Sequence, residues 1–218
     1  QSSTTFTYDK TSPSITSITP SWGSHLNATE DNSSGTVTVA TSGIEDGQTV
    51  TVGLNGTNYT GSVSNNSVTV TISATDLQAL SEGTNTITAD VSDVAGNAAT
   101  QSSTTFIYDK TAPSISSITP SWGSHLNATE DNSSGTITVA TSGVEDGQTV
   151  TVGLNGTNYT GSISSNSVTI TISATDLQAL SEGTNTITAN VSDAAGNAAS
   201  QSSTTFTYDK TSPSITSI

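Results

Sequence analysis

Val50-Thr51-Val52-Gly53-Leu54-Asn55-Gly56-Thr57-Asn58-Tyr59-Thr60-Gly61-Ser62-Val63 decides the fold. Val50, Val52 and Leu54 alternate with small or polar residues, the period of a half-buried strand. Asn55-Gly56 supplies two residues that accept positive φ, as a tight hairpin requires. Tyr59 and Val63 lie on the returning strand. Working outward, Val37 and Val39 mark the strand before, and Ile15 and Ile18 an irregular first strand. Asn65-Asn66 turns the chain into Val68, Val70 and Ile72. Ile87, Ala89 and Val91 alternate next, and Phe106 and Tyr108 close the set. About seven short strands in about a hundred residues, with frequent turns, is the pattern of an all-β sandwich. One helical turn interrupts it: Thr75-Asp76-Leu77-Gln78 fits a capping box, with Leu77 and Leu80 on one face and Gly83 as the stop. It is expected to plug an end of the sandwich.

The whole pattern then recurs. Residues 1–100 match 101–200 at all but 11 positions, and residues 1–18 reappear unchanged as 201–218. Val37 becomes Ile137, Ile44 becomes Val144, Val63 becomes Ile163 and Val70 becomes Ile170, the volume-conserving exchanges that packed positions tolerate. A period near 100 suits one self-contained domain per repeat, not a solenoid. The boundary falls at Asp9-Lys10-Thr11-Ser12-Pro13, Asp109-Lys110-Thr111-Ala112-Pro113 and Asp209 to Pro213, where proline cannot pair inside a sheet. Repeats are expected over 11–109 and 110–209. Residues 1–10 then read as the last strand of a preceding repeat plus a linker, and 210–218 as the first strand of a following one.

Composition excludes several functions. Eighteen acids face three lysines and no arginine, a net charge of −15. Nucleic acid and anionic membranes need Lys and Arg, so neither is an expected partner. There is no cysteine to act as disulfide, ligand or nucleophile. No window reaches the 18 apolar residues of a membrane span, and no signal peptide opens the chain. Uncompensated carboxylates destabilise a compact state unless salt or a bound cation neutralises them.

The acids sit in loops. In an immunoglobulin-like topology the B–C and F–G loops lie at the end where the chain enters the domain. In the first repeat this places Asp9, Glu45, Asp46, Asp93 and Asn97 together. In the second the equivalents are Asp109, Glu145, Asp146, Asp193 and Asn197. Two readings stand at this point: solvated turn residues, since Asp, Asn and Gly suit turns, or an oxygen cage. Ca²⁺ fits such a cage best, because it accepts six to eight oxygens in irregular loops. Zinc would want His or Cys. Asp90, Asn190 in the next copy, faces outward and is at most a peripheral ligand. Glu30 and Asp31 read as solvated loop.

Catalytic constellations are missing. His25 is the one histidine of its repeat and reads as a surface loop residue; no nucleophile elbow accompanies the serines. Glu45 and Asp46 are adjacent, not paired across a cleft as a glycosidase needs. No EF-hand or phosphate loop occurs. The chain is expected not to be an enzyme. Trp22 could stack on a sugar but reads better as a loop tryptophan capping the core.

Asp109-Lys110-Thr111-Ala112-Pro113, Val144-Glu145-Asp146-Gly147-Gln148-Thr149-Val150-Thr151-Val152, Leu154-Asn155-Gly156, Ala174-Thr175-Asp176-Leu177-Gln178-Ala179-Leu180 and Val191-Ser192-Asp193-Ala194-Ala195-Gly196-Asn197 carry a family resemblance. They resemble the bacterial immunoglobulin-like extender repeats of giant Gram-negative, RTX-type biofilm adhesins. The resemblance covers nearly every residue. It implies an extracellular, outer-membrane-tethered spacer whose partners are its neighbouring repeats, with any glycan, host or biofilm target met by other domains. It also implies Ca²⁺ at the domain junctions, with Asp9, Asp46, Asp93, Asp109, Asp146 and Asp193 as ligands. The chain departs from the family at Ser21-Trp22-Gly23-Ser24-His25-Leu26, ahead of Asn27 to Glu30, which removes support for a second calcium site there. The competing expectation is a glycan-binding module that uses Trp22 or Tyr59 and gains avidity from repetition.

Overall fold

The computed structural model describes residues 1–217 and is nearly all β. The chain divides between Lys110 and Thr111 into two compact units. In the first, β1 (Ser14–Pro20), β3 (Gly35–Ser42) and β6 (Ser67–Ile72) form one antiparallel sheet in the order β1-β3-β6. The second sheet runs β2-β8-β7-β4-β5, from β2 (His25–Leu26), β8 (Ser102–Tyr108), β7 (Gly83–Asp90), β4 (Thr49–Leu54) and β5 (Thr57–Ser62). The second unit repeats this with β9 (Ser114–Pro120), β10 (His125–Asn127), β11 (Gly135–Ser142), β12 (Thr149–Leu154), β13 (Thr157–Ser162), β14 (Ser167–Ile172), β15 (Gly183–Asn190) and β16 (Ser202–Asp209), in the orders β14-β11-β9 and β10-β16-β15-β12-β13. Each unit is an immunoglobulin-like sandwich.

The alternation sets the core. Val37, Val39, Val50 and Val52 are fully buried, as are Ile72, Ile87 and Ala89, while the residues between them face outward. Burying one such aliphatic side chain stabilises the fold by about 1.5–3 kcal/mol. The β4–β5 hairpin closes through Asn55 and Gly56, both at positive φ, so the turn chemistry fixes the register Leu54↔Thr57. The irregular spacing of Ile15 and Ile18 has a cause: a bulge between Ile15 and Ser17 keeps both isoleucines turned to the core.

Four details differ from the sequence reading. Among the described residues each unit has eight strands, one beyond the seven that alternation placed, because His25 and Leu26 pair in parallel with Ile107 and Tyr108. Leu26 is fully buried there, and His25 is half-buried in a strand, not in a loop. The helix, α1 (Ala74–Gln78), is capped by Ser73, whose Oγ accepts from the Asp76 N–H and donates to the Asp76 carboxylate. The reciprocal cap therefore sits two residues earlier than Thr75–Gln78, and Gly83 opens β7. Its counterpart α2 (Ala174–Gln178) is capped in the same way by Ser173. Leu77 and Leu80 do cover the core. The expected first strand of a following repeat, 210–218, ends at a residue, 218, outside the described ones.

Candidate functional site

The loop acids divide into two groups. Between β3 and β4, the Glu45 carboxylate accepts a hydrogen bond from the Val94 N–H at 3.2 Å. In the second unit Glu145 does the same with the Ala194 N–H at 2.8 Å. These bonds tie the B–C loop to the F–G loop. Asp46 points elsewhere: it accepts from the Asn65 N–H, and Asp146 from the Ser165 N–H, pinning the turn that leads into β6 or β14.

The F–G loop is organised by one residue pair. Asp93 accepts from the Asn97 N–H at 2.7 Å and from the Asn97 side-chain amide at 2.8 Å. Asp193 and Asn197 repeat this at 2.8 and 3.0 Å. Asp93 and Asp193 are buried. The Asn97 side-chain amide, with backbone N–H groups of the same loop, holds the Asp93 carboxyl below the ordinary carboxylate range, against the opposing effect of burial. The same Asn97 amide donates to the carbonyl oxygen of Asp9 at 3.3 Å. The Asp9 carboxylate itself accepts from the Thr11 N–H.

So in the first unit the entering segment, the B–C loop and the F–G loop do meet. They meet through hydrogen bonds, not as a ready cage: among the described residues no three acids or imidazoles are grouped to hold a metal. Asp109 donates its N–H to the Leu26 carbonyl. Asp90 is exposed and accepts from the Gln101 amide at 2.8 Å; Asn190 keeps that partner in Gln201 at 3.3 Å.

One polar pair was hidden from the sequence. Asp31, expected in solvated loop, is 5% exposed and accepts from the Tyr108 hydroxyl at 2.6 Å. Burial, then the bond to Asp31, pushes the Tyr108 phenol up. Asp131 and Tyr208 form the same pair. Tyr108 faces inward with Phe106 by alternation, and a buried phenol calls for a partner; that was the available signal.

Trp22 is 8% exposed and packs edge-on against Phe106, with ring centroids 5.2 Å apart. It caps the core and offers no free face to a sugar. Tyr59 is half-buried, and burial followed by a hydrogen bond to Asp76 raises its phenol to about 12. A groove that recurs in both units, about 320 and 300 Å³, is lined by Thr49, Thr51, Asp90 and Ser92 and by their counterparts. It holds no nucleophile–base pair. Among the described residues no helix is long and apolar enough to cross a membrane.

Filled sandwiches repeated in tandem, with their polar chemistry confined to loop ties, define a class of modular β-sandwich array. A family model of the bacterial Ig-like domain matches residues 116–210, and a second, bacterial Ig-like domain group 3, matches residues 68–131. Both matches are bacterial Ig-like domains, and together they span residues 68–210. Among solved structures it is similar to a 1.5-MDa bacterial ice-binding adhesin studied for host cell surface retention, at 26% identity and a TM-score of 0.55. That match covers 91% of this chain and 65% of the other. A Ca²⁺-stabilized adhesin that helps an Antarctic bacterium bind ice matches at 24% identity and 0.52, over 90% of this chain and 50% of that one. Fibronectin(III)-like modules of Clostridium thermocellum CbhA share the fold at 14% identity and 0.52, over 91% and 94%. The chain thus spans half to two thirds of the two adhesin structures. No curated protein matches by sequence.

Proposed function

We propose that the chain is a spacer segment of a bacterial surface adhesin, extracellular and tethered to the outer membrane, and that calcium stiffens it where one repeat meets the next. Near-identical copies support a spacer: repetition adds reach, whereas an active site is needed once. On this reading the repeats run over 11–109 and 110–209, with 1–10 and 210–218 belonging to flanking repeats. Identical sequences support those boundaries. Phe6 and Tyr8 are 89% and 72% exposed, while Phe206 and Tyr208, inside β16, are 3% and 1% exposed.

The observation that carries calcium is the Asn97 amide, which bridges the Asp93 carboxylate and the Asp9 carbonyl. It strings the entering segment and the F–G loop together beside Glu45, an assembly of oxygen donors without a lysine among them. The donor chemistry suits a hard cation. Asp9, Glu45, Asp93 and Asn97 would hold it in the first repeat, with Asp46 left to the turn at Asn65. By sequence position Asp109, Glu145, Asp193 and Asn197 are their counterparts, with Asp146 left to the turn at Ser165. The ion would supply positive charge to loops that otherwise repel, exchanging a flexible hinge for a fixed one. The residues' own part is to present oxygen and fix the loops, through Asp93–Asn97 and Glu45–Val94.

Calorimetric titration of the 218-residue chain with Ca²⁺ tests this, with small-angle scattering and melting curves with and without chelator. Saturable binding, a higher melting temperature and a longer particle are expected. Identical profiles in chelator remove calcium from the mechanism and leave the spacer.

A further inference from the structure

The last strand of the first unit turns its N–H groups to two neighbours alternately. Ile107 and Asp109 donate theirs to the Ser24 and Leu26 carbonyls, at 2.9 and 3.0 Å. Tyr108 and Lys110, out of phase by one residue, therefore point theirs the other way, toward β7. The register there sets Gly83 opposite Tyr108, and its continuation would set Ser81 opposite Lys110. The ladder stops short of that pair. Gly83 stands at φ 105°, where the chain swings out of line, and the Ser81 carbonyl accepts instead from the Asn85 side-chain amide at 2.9 Å. A side chain replaces the missing acceptor: the Lys110 N–H donates to the Glu82 carboxylate at 3.0 Å.

The second unit repeats the substitution. Gly183 stands at φ 102°, and the Asn185 amide donates to the Ser181 carbonyl at 2.9 Å. One oxygen of Glu182 accepts from the Lys210 N–H at 3.0 Å and from the Thr211 hydroxyl at 2.9 Å. The Thr211 N–H donates to the Asp209 carboxylate, also at 2.9 Å. Glu82 and Glu182 stand at the end of each sandwich opposite the F–G loop, since β7 and β15 run from one end to the other.

We propose that Glu82 and Glu182 are positioning residues of the spacer: each extends its sheet one step past the last backbone pair, so that the departing linker moves with the sandwich it leaves. The inference rests on the spacer reading but needs no metal. An ionised carboxylate is a stronger acceptor than the carbonyl it replaces, and its reach lets the backbone of Glu82 leave the ladder while its side chain stays in it. Calcium at the entry loops and this carboxylate at the exit would then be separate devices, acting on the two ends of a repeat.

Digestion of the 218-residue chain in chelator with a lysine-specific endoproteinase tests this, because the three lysines, Lys10, Lys110 and Lys210, all lie in linkers. Cleavage after Lys110 tracks how often that stretch opens. Lys10, whose N–H meets no carboxylate among the described residues, precedes the same Lys-Thr bond and serves as the internal standard. Glu82→Asp keeps the charge but shortens the arm by a methylene. It should speed cleavage after Lys110 by about three- to tenfold, with Lys10 and the melting temperature unmoved. Glu182→Asp should do the same after Lys210. Glu82→Gln keeps both the reach and an acceptor oxygen and should stay within about twofold of the parent. A residue acting only through overall stability would move every site and the melt together. Cleavage after Lys110 that is unchanged in Glu82→Asp, or equally fast in Glu82→Asp and Glu82→Gln, overturns the proposal. A failed calcium titration leaves it standing, since every digest is run without the ion.

Discussion

The Tyr108 hydroxyl donates to the Asp31 carboxylate at 2.6 Å, and neither side chain reaches solvent to any extent. The bond joins the last strand of the unit to the 3₁₀ turn Glu30–Asn32, in the segment between β2 and β3. Its removal leaves a buried carboxylate short of a donor, which costs about 1–3 kcal/mol. Tyr108→Phe should lower stability by that amount in chemical denaturation, with the strands intact by circular dichroism. A change within error would mean that water replaces the hydroxyl.

The same bond sets a pH limit. In the second unit the bond to Asp131, then burial, raises the Tyr208 phenol to about 12. The protonated phenol is the bonded form, and its folded value lies above its unfolded one. Stability from this pair is therefore full below pH about 10, the free tyrosine value, and is lost as pH rises through about 12. Base denaturation should steepen above pH 10 and flatten in Tyr108→Phe with Tyr208→Phe. Parallel curves for the two proteins would refute the assignment.

Gly35 lies under the Trp22 ring: a Cβ built there would stand 2.5 Å from the indole Cζ3 and 2.7 Å from Cε3. The ring packs on Phe106 and strand β3 is held between β1 and β6, so an added methyl must displace one or the other. Gly35→Ala should cost about 1–3 kcal/mol as overpacking. A protein as stable as the parent would show that the Trp22 loop moves freely.

Much of this was legible in the residues. Alternation at Val50, Val52 and Leu54 and the Asn55-Gly56 turn led to the sandwich, because a period of two and a positive-φ pair are local signals. Trp22 read correctly as a core cap. Asp31 did not: a carboxylate in Glu-Asp-Asn resembles solvated loop until Tyr108, 77 residues away, is brought over it. The strand at His25 and Leu26 was missed for a similar reason, since two residues make no period and their partner β8 is remote. In the loop group, the residue types of Glu45, Asp93 and Asn97 suggested convergence. That Asp46 turns to Asn65 depends on the course of β5 and β6, which no spacing encodes.

The turn Ser64-Asn65-Asn66-Ser67 places both central residues at positive φ, and Asn is among the few side chains that tolerate this. The second repeat has Ser165 there, at φ 52°. A left-handed conformation costs an ordinary L-residue about 1–2 kcal/mol, and asparagine relieves part of it. Ser165→Asn should raise the stability of the second unit by about 0.5–1 kcal/mol, with Asn65→Ser lowering the first by a similar amount. Melting of the separate substitutions decides it; no shift in either would mean that the turn relaxes around serine.

Asp93 and Asn97 supply the last expectation, because one amide serves both the F–G loop and Asp9. The bonded carboxylate is ionised, and its folded value is held below the free one, so its contribution is present above pH about 4 and fades as pH falls through the lowered value. Acid should therefore loosen the F–G loop only below the usual carboxylate range, visible as amide exchange at Gly96 and Asn97. Asp93→Asn should remove that transition by abolishing the charge. If Asp93 also serves calcium, Asp93→Asn will weaken Ca²⁺ binding about tenfold or more, whereas Asp90→Asn, the exchange already present at Asn190, will leave it unchanged. Equal affinity in parent and Asp93→Asn would place the ion elsewhere and leave Asp93 the simple role of shaping its loop.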